Sequence, residues 1–396
     1  MLYARDILLD IEKVILRDEF IILTGARQTG KTSLLIMLKN FLEEKGGNCY
    51  YLNLENPDYL KLLNSHPFNI FELIPEKKIK QTIFVDEIQY LDNPTNFLKL
   101  LYDEKRNKIK IIASGSSAFY IDKKFHDSLA GRKFLFEVYP LNFNEYLIFN
   151  QQYELLKQKN KKLSFHYKEK ILELWNKYII YGGYPKVVLS EDVDIKKIIL
   201  DEIGLSYVKK DIMDAGIKNT DKYFSLLKIL ANQTGQLVNL QELSVTMGIA
   251  HKTLEEYLYV MKESYQISFI RPFYKNLRKE LTKMPKVYFY DLGLRNFLLN
   301  NYNLPDDRSD KGSYLENIVF IECVLQKISP DKIKFWRTLD KKEIDFIIEN
   351  EAFEIKFNRD SIKRNKYEQF EKLYPEIKLN FYSYDDILEK FYLWRF

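Results

Sequence analysis

Residues 25–32 of this 396-residue chain form the motif that most constrains its fold. They spell Gly-Ala-Arg-Gln-Thr-Gly-Lys-Thr, which matches the phosphate-loop pattern G-x-x-x-x-G-K-[ST] in full. An apolar strand pattern at 20–24 precedes the motif, and an amphipathic helix pattern follows it through Leu42. Glycines let backbone N–H groups curl around a phosphate, and the N-terminus of a helix adds positive potential there. The sequence therefore predicts a strand, a phosphate-binding loop and a helix in succession.

The residue types within the motif indicate a site for ATP with Mg²⁺. Lys31 is expected to reach the β- and γ-phosphates, and Thr32 is expected to ligate Mg²⁺. The alternative is an ordinary strand, turn and helix in which the lysine occurs by chance. The residues predicted to bind the two cofactors are Gly25, Ala26, Arg27, Gln28, Thr29, Gly30, Lys31, Thr32, Ser33 and Asp86.

An acidic pair follows a second apolar run, at 82–85. Asp86 is predicted to hold Mg²⁺ through its water shell, and Glu87 is predicted to orient and deprotonate the attacking water. A glutamate in this place favours hydrolysis over phosphoryl transfer to a small molecule. The pair therefore predicts an enzyme that hydrolyses ATP.

Two further residues complete the predicted catalytic set of Lys31, Glu87, Ser114 and Arg132. Ser114, or alternatively Ser116, ends a fourth strand pattern and can lie between the acidic pair and the γ-phosphate. The other interpretation of these serines is a turn that caps the next helix. Arg132 precedes a fifth strand pattern, where it could stabilise phosphate charge in cis or in trans, or be a surface arginine.

Residues 222–286 have the order helix, turn, helix and two β-runs that is typical of a winged helix-turn-helix. The end of this segment is rich in basic residues, which suit contact with a DNA backbone. The alternative is a winged helix that packs between domains, since Glu255 and Glu256 offset Lys252 on the expected recognition helix. The basic residues are Arg271, Lys275, Arg278, Lys279, Lys283 and Lys286.

A hairpin with its turn at residues 350–351 is predicted near the C-terminus. Alternation along its strands puts Asp345, Glu354 and Lys356 on one face. Two carboxylates and a lysine resemble the D…(E)-x-K constellation of metal-dependent nucleases, in which the carboxylates hold Mg²⁺ and the lysine activates water. The alternative is a solvated hairpin face with a cross-strand Asp–Lys pair.

Several motifs in a fixed order carry a resemblance to a known family. They are the phosphate loop, Asp86-Glu-Ile-Gln, Ser114-Gly-Ser-Ser, Leu129-Ala-Gly-Arg, Pro140-Leu-Asn-Phe-Asn-Glu and Gly182-Gly-Tyr-Pro. The chain resembles archaeal and bacterial P-loop ATPases of the AAA+ superfamily, in the branch whose C-terminal region is restriction-endonuclease-like. The resemblance implies ATP hydrolysis, a helical lid, a winged-helix module and a nuclease-like terminus. It also implies that Glu316 is an additional acid of the metal site.

The predicted fold is therefore α/β: a P-loop NTPase parallel sheet, a helical lid, a winged helix and a small α/β restriction-endonuclease-like domain. The predicted function is Mg²⁺-dependent ATP binding and hydrolysis, acting on or near DNA, with nuclease activity left open. The alternatives are a non-catalytic ATP-switched regulator whose C-terminal domains bind a protein partner, and an active ATP-dependent nuclease. The predicted modules are 1–150 (ATPase), 151–221 (helical lid), 222–300 (winged helix) and 301–396 (restriction-endonuclease-like).

The composition of the chain indicates which kinds of partner and which cellular compartment to expect. The net charge is +5, and residues 1–150 carry 20 basic and 20 acidic side chains, so the whole basic excess lies in 151–396. This excess favours an anionic partner such as DNA through 222–286 and 301–396, and the alternative is solvated lysine-rich helices. A homo-oligomer or a protein partner is left open. No apolar run approaches the ~18 residues of a membrane span, no secretory pattern opens the chain, and the two cysteines form no pair. A cytoplasmic protein without a membrane partner is therefore predicted.

Overall fold

The computed structural model describes residues 3–75, 77, 79–115, 129–157, 164–274, 280 and 283–391. The chain forms two compact units. The first unit comprises Met1–Tyr139 with Glu263–Tyr265, and the second comprises Pro140–Lys262 with Gln266–Phe396.

A parallel sheet is the centre of the first unit. Its strands are β1 (Phe20–Thr24), β2 (Asn48–Asn53), β3 (Gln81–Asp86), β4 (Ile109–Ser114) and β5 (Lys133–Glu137). They lie in the order β2-β3-β4-β1-β5, and all of their pairings are parallel. Strands β1 and β4 are buried along their whole length, which explains their uninterrupted apolar runs. The predicted α/β fold with a parallel sheet is confirmed.

Helices cover both faces of this sheet. Phe20 and Ile22 belong to one apolar cluster, whereas Ile21 and Leu23 belong to another. Because successive side chains of a strand point to opposite faces, the two clusters lie on the two sides of the sheet. The helices of this unit are α1 (Asp6–Val14), α2 (Lys31–Glu44), α3 (Pro57–Ser65), α4 (Ile70–Leu73) and α5 (Pro94–Lys105).

The second unit begins with helices, ahead of the predicted boundary at residue 150. The reason is that residues 141–149 pack with a long helix of this unit, whose Tyr178 hydroxyl donates to the carbonyl of Leu141 at 2.9 Å. Its helices are α6 (Phe143–Phe149), α7 (Tyr153–Lys157), α8 (Phe165–Tyr181), α9 (Pro185–Val188), α10 (Val193–Asp201), α11 (Val208–Asp214), α12 (Thr220–Asn232), α13 (Leu240–Met247), α14 (His251–Glu263), α15 (Leu292–Leu299), α16 (Lys311–Leu325), α17 (Glu368–Leu373) and α18 (Tyr384–Phe391).

A mixed sheet completes the second unit. Its strands are β6 (Ile267–Pro272), β7 (Lys286–Phe289), β8 (Ile333–Arg337), β9 (Glu343–Ile348), β10 (Glu351–Ile355) and β11 (Lys378–Tyr382). They lie in the order β11-β10-β9-β8-β6-β7. Because β6 pairs in parallel with β8, with Arg271 beside Lys334, one sheet crosses the predicted boundary at residue 300. The segments predicted as winged-helix and nuclease-like modules therefore share a sheet.

The elements expected within 222–286 are present at nearly the predicted positions. Helix α13 begins after Asn239, whose side chain accepts hydrogen bonds from the backbone of Gln241 and Glu242. It ends at Gly248, and α14 follows after a short turn. Strands β6 and β7 then pair antiparallel. These elements have the order of a winged helix-turn-helix.

The C-terminal hairpin turns one residue earlier than predicted, because Ile348 pairs with Glu351. Glu349, in the turn, has a φ of 53°, which lies in the left-handed region that two-residue hairpin turns favour. This turn moves the strand register by two residues relative to the prediction. Because an even shift keeps every side chain on its face, Asp345 and Glu354 still share one.

Among the residues that the structure describes, no helix is both long and apolar enough to cross a bilayer.

Candidate functional site

The predicted nucleotide-binding residues lie at the carboxyl edge of the parallel sheet. The phosphate loop follows β1, Asp86 ends β3 and Ser114 ends β4. The parallel registers align these ends, because Leu23 pairs with Ser114 and Val85 pairs with Ala113. Open α/β sheets bind ligands at this edge.

The phosphate loop fits closely against its surroundings. Gly25 and Gly30 have φ values of 146° and 94°, and a Cβ at Gly25 would lie 2.2 Å from the carbonyl oxygen of Val138. Lys31 is buried at the start of α2, and its Nζ donates to the carbonyls of Gly25 and Ala26 at 2.8 and 2.7 Å. The ammonium group therefore lies within the loop whose phosphates it is predicted to bind.

Asp86 is the centre of a hydrogen-bond network. Thr32 Oγ1 and Tyr51 Oη donate to its Oδ2 at 2.8 and 2.7 Å, and Ser114 Oγ donates to its Oδ1. The carboxylate of Asp86 is buried. Thr32 and Asp86, the two predicted Mg²⁺-binding residues, are thus in contact and offer oxygen atoms, which Mg²⁺ prefers. The residues present fit the predicted cation.

Tyr51 is a residue of this site that the sequence patterns do not identify. It lies on β2 two residues before Asn53, the register partner of Asp86. Burial, together with the hydrogen bond to Asp86, raises the pKa of Tyr51, so its hydroxyl stays protonated and donates. Only the pairing of β2 with β3 brings this side chain to the acidic pair.

Glu87 follows β3 in an uncommon backbone conformation. Its φ is 56°, a left-handed value that costs a residue other than glycine about 1–3 kcal/mol and is enriched at active sites. Its N–H donates to Ser114 Oγ at 3.3 Å, and Gln89 Nε2 donates to its carboxylate. Ser114 therefore contacts both members of the acidic pair, as its predicted role requires. Ser116, the alternative, lies outside the described residues.

Arg132 does not lie at this edge. It precedes β5, and Lys133 pairs with Phe20, the first residue of β1. The phosphate loop follows the other end of β1, about 16 Å away at ~3.3 Å per residue. The guanidinium of Arg132 forms an ion pair with Asp103, with Nε 2.6 Å from Oδ1. The prediction that Arg132 acts in cis is wrong, and a role in trans stays a prediction.

In the second unit, residues predicted to form a nuclease-like site surround Lys286, a residue predicted to bind DNA instead. Lys286 Nζ lies 3.2 Å from Glu316 Oε2, 2.5 Å from Glu343 Oε1 and 3.9 Å from Asp345 Oδ1. The side chain of Lys286 is 1% exposed. Lys286 therefore bridges acids that come from α16 and from β9.

Lys356 bridges the other side of this cluster. Its ammonium group pairs with Glu354 Oε1 and lies 4.0 Å from Asp345 Oδ2. Tyr367 Oη donates to Glu354 Oε1 at 2.7 Å, and the N–H of Ile355 donates to Asp345 Oδ2 at 2.8 Å. The structure thus brings Asp345, Glu354 and Lys356 together, but with ion pairs and hydrogen bonds between them.

Burial controls the protonation of this cluster. It raises the pKa of Glu316 to about 7 and the pKa of Glu354 to about 8; Asp345 adds to both shifts and the nearest lysine opposes each. Burial disfavours the charged form of Lys286. The carboxylates of Glu316, Asp345 and Glu343 outweigh that effect and hold the pKa of Lys286 above its ordinary value. The lysine therefore stays charged.

The burial of Lys286 corrects the predicted DNA-binding run. The prediction that Lys286 contacts a DNA backbone together with the other basic residues of 222–286 is wrong, because its side chain is enclosed by carboxylates. Arg271 and Lys283 are exposed. Lys275, Arg278 and Lys279 lie outside the described residues.

The predicted Mg²⁺ site of Glu316, Asp345 and Glu354 does not have the geometry of a metal site. In the part of the chain that the structure describes, no group of three or more His, Cys, Asp or Glu side chains is arranged to hold a metal ion. The reason is visible in the contacts, because Lys286 bridges Glu316 and Asp345 whereas Lys356 bridges Asp345 and Glu354.

Three family models match this chain. Residues 17–147 match the model of an AAA domain. Residues 172–304 and 311–390 each match the model of a domain of unknown function, DUF8612 and DUF4143 respectively. Residues 17–147, most of which lie in the first unit, are therefore similar to an AAA domain.

Relatives of this chain are similar to it over most of their length. An uncharacterized protein of Haemophilus influenzae is 29% identical over 82% of this chain and 78% of its own. An uncharacterized protein of Methanocaldococcus jannaschii is 26% identical over 94% of this chain and 82% of its own.

Solved structures show a weaker likeness. The RuvB Holliday junction branch migration motor of Thermotoga maritima has a TM-score of 0.33 and 15% identity, covering 70% of this chain and 92% of that one. The ORC2 protein of Aeropyrum pernix, in its ADP form, has a TM-score of 0.35 and 14% identity, covering 66% and 84%. TM-scores of this size support no inference about activity or ligands.

Proposed function

We propose that the AAA domain of this chain binds ATP with Mg²⁺ and hydrolyses the ATP. The observation that carries this proposal is one connected network at the carboxyl edge of the sheet. Thr32 and Ser114 donate to Asp86, and Glu87 donates through its backbone to Ser114, beside the buried Lys31. The match of residues 17–147 to an AAA domain supports the same function.

Each residue of the network fits a role in hydrolysis. The Lys31 ammonium and the N–H groups of the loop would bind the phosphates. Thr32 and Asp86 would hold Mg²⁺, which when bound would stabilise negative charge on the phosphate oxygens. Glu87 would accept the proton of the attacking water, and Ser114 would keep the backbone of Glu87 in place. A base beside the Mg²⁺-binding carboxylate favours a hydrolase over a switch that only binds ATP.

Replacing Lys31 with alanine tests nucleotide binding. Lys31→Ala should weaken the affinity for ATP about 10- to 150-fold, because a hydrogen bond to a charged group contributes about 1.5–3 kcal/mol. Isothermal titration calorimetry with ATP and Mg²⁺ measures this change. Lys39→Ala is the matched control, since Lys39 lies on the same helix but pairs with Glu43 at the surface. Equal affinities of Lys31→Ala and wild type would contradict the proposal.

Tyr51→Phe should change the dependence of ATP turnover on Mg²⁺. Without its hydroxyl, Asp86 has one fewer donor to orient it, and removing such a partner typically lowers metal affinity about 10- to 100-fold. The Mg²⁺ concentration for half-maximal turnover should therefore rise by at least about tenfold. Tyr50→Phe is the control, because the side chain of Tyr50 points to the other face of β2. Superimposable Mg²⁺ titrations of Tyr51→Phe and wild type would remove Tyr51 from the site.

We propose DNA as the partner of residues 222–286. The order of α13, a short turn and α14 is that expected of a helix-turn-helix, and Lys252, Arg271 and Lys283 are exposed on this segment. Lys286 takes no part, because it is buried. The contact proposed is with the phosphate backbone, since exposed Glu255 and Glu256 reduce the positive charge of α14.

The combined change of Arg278, Lys279 and Lys283 to alanine should weaken binding to all DNA sequences alike. The slope of log affinity against log salt concentration should become shallower by about 0.9 for each phosphate that the variant no longer neutralises. Fluorescence anisotropy with two unrelated duplexes at several salt concentrations measures both effects. The charge-preserving set Arg278→Lys, Lys279→Arg and Lys283→Arg should keep the slope. If the alanine variant keeps wild-type affinity and slope, the segment serves packing instead.

A further inference from the structure

We propose that Lys286 is a permanent counter-ion of the buried charge cluster and occupies the place that a divalent cation would take in a metal-dependent nuclease. It follows that this cluster binds no divalent cation and supports no metal-dependent cleavage, and that it fastens β7 to the hairpin. The charge cluster consists of Lys286, Lys356, Glu316, Glu343, Asp345 and Glu354.

Lys286 lies where a shared metal ion would have to bind. Its ammonium group contacts acids from two separate elements, α16 and β9, through oxygens that a shared metal ion would need. Mg²⁺ binds oxygens at about 2.0–2.1 Å and tolerates little departure from octahedral geometry. An ammonium group and a Mg²⁺ ion cannot use the same oxygens at once, so the lysine excludes the metal.

The backbone of Lys286 keeps its side chain in this place. Lys286 pairs with Ile270 on one side, and an isolated bridge joins it to Leu237 on the other. Tyr288, two residues farther along β7, donates to Glu316 Oε2 at 2.9 Å. A Cβ at Gly235 would lie 3.1 Å from the same oxygen, so the backbone at Gly235 packs closely against the Glu316 carboxylate. Lys286 thus enters the cluster from an anchored strand.

The charges of the cluster balance without a metal. Its four carboxylates carry at most four negative charges, and the two lysines contribute two positive charges. Arg337 adds a third, because it pairs with Glu343. Burial also raises the pKa values of Glu316 and Glu354, which lowers the negative charge further. A divalent cation would leave an excess of positive charge in a buried place, which is costly.

The first test measures Mn²⁺ binding to the full chain without nucleotide, by electron paramagnetic resonance of free Mn²⁺. Wild type and Asp345→Asn should bind the same amount of Mn²⁺ with the same affinity. Thr32→Ala removes the divalent-cation site proposed at the phosphate loop, so any Mn²⁺ that this variant still binds lies elsewhere. A Mn²⁺ ion that Asp345→Asn fails to bind and Thr32→Ala still binds would overturn the proposal. This result does not depend on whether the chain binds or hydrolyses ATP.

The second test compares melting temperatures in the presence of a chelator. Acids that pair with lysines stabilise the fold, whereas acids of an empty metal site repel one another. Glu343 pairs with Lys286 and Arg337, so Glu343→Gln should lower the melting temperature by at least about 2 °C. Glu351→Gln, at an exposed position of the same hairpin, should leave it unchanged.

A change of melting temperature in the opposite direction would contradict the ion-pair role. A higher melting temperature for Glu343→Gln would show that the Glu343 carboxylate is repelled by the neighbouring acids more than it is attracted by Lys286 and Arg337 in the native chain. A rise in the wild-type melting temperature on adding Mn²⁺, absent in Asp345→Asn, would also overturn the proposal. If Asp345→Asn fails to fold, Thr32→Ala still decides, because a rise in its melting temperature on adding Mn²⁺ could not come from the phosphate loop.

Discussion

Glu87→Gln should lower the steady-state rate of ATP hydrolysis about 10²- to 10⁴-fold while ATP binding stays largely intact. The amide keeps the shape of the side chain but cannot accept a proton from water. Asp86 and Thr32, which would hold Mg²⁺, remain in contact with each other. Phosphate release under saturating ATP measures the rate, and calorimetry measures binding.

A glutamate remote from the network provides the control for this change. Glu104→Gln alters an exposed side chain of α5 in the same unit and should leave turnover at the wild-type rate. Near-wild-type hydrolysis by Glu87→Gln would remove the general base from the proposal. Tight ATP binding without hydrolysis in the wild-type protein would favour the alternative of an ATP-switched regulator.

Lys286→Met should destabilise the second unit by about 3–5 kcal/mol. Methionine keeps much of the volume of the side chain but leaves Glu316, Glu343 and Asp345 facing one another in a buried place. Removing one partner of a buried ion pair leaves charge without compensation, which costs more than the pair itself contributes. Urea denaturation followed by circular dichroism measures the decrease in stability.

Lys283→Met is the matched control for this change, because Lys283 is exposed three residues earlier. It should change the stability by no more than about 0.5 kcal/mol. Adding Asp345→Asn to Lys286→Met should recover part of the stability, since the two residues belong to one network. A fully stable Lys286→Met protein would show that the lysine does not hold the cluster together.

The residues of the proposed nucleotide site could be identified in large part from the sequence, because most of them lie within short contiguous segments. The strand, the phosphate loop and the helix are contiguous, so the motif predicts them without knowledge of the rest of the chain. Asp86 and Ser114 each end a buried strand, and parallel strands bring such ends to one edge. Glu87 is adjacent to Asp86 and therefore comes with it.

The positions of Tyr51 and Arg132 relative to the site could not be predicted in this way, because they depend on the order of the strands in the sheet. Tyr51 reaches Asp86 only because β2 is the neighbour of β3. Arg132 precedes β5, and only the parallel pairing of β5 with β1 puts it at the opposite end of the sheet from the phosphate loop. Neither fact has a signal within a short segment of sequence.

Local sequence patterns were enough to predict most of the strands and helices, the start of the phosphate loop, and the hairpin side chains that share a face. These properties follow from local patterns and from the two-residue period of a strand, which survives even a change of register. The residues that lie opposite that face depend on long-range strand pairing, which no local pattern encodes. Lys286 is far from Glu316 and Asp345 in sequence, and it meets them because β7 joins the same sheet as β9. The same basic residue can bind a phosphate backbone when exposed or neutralise buried acids when enclosed, and burial is a property of the folded chain.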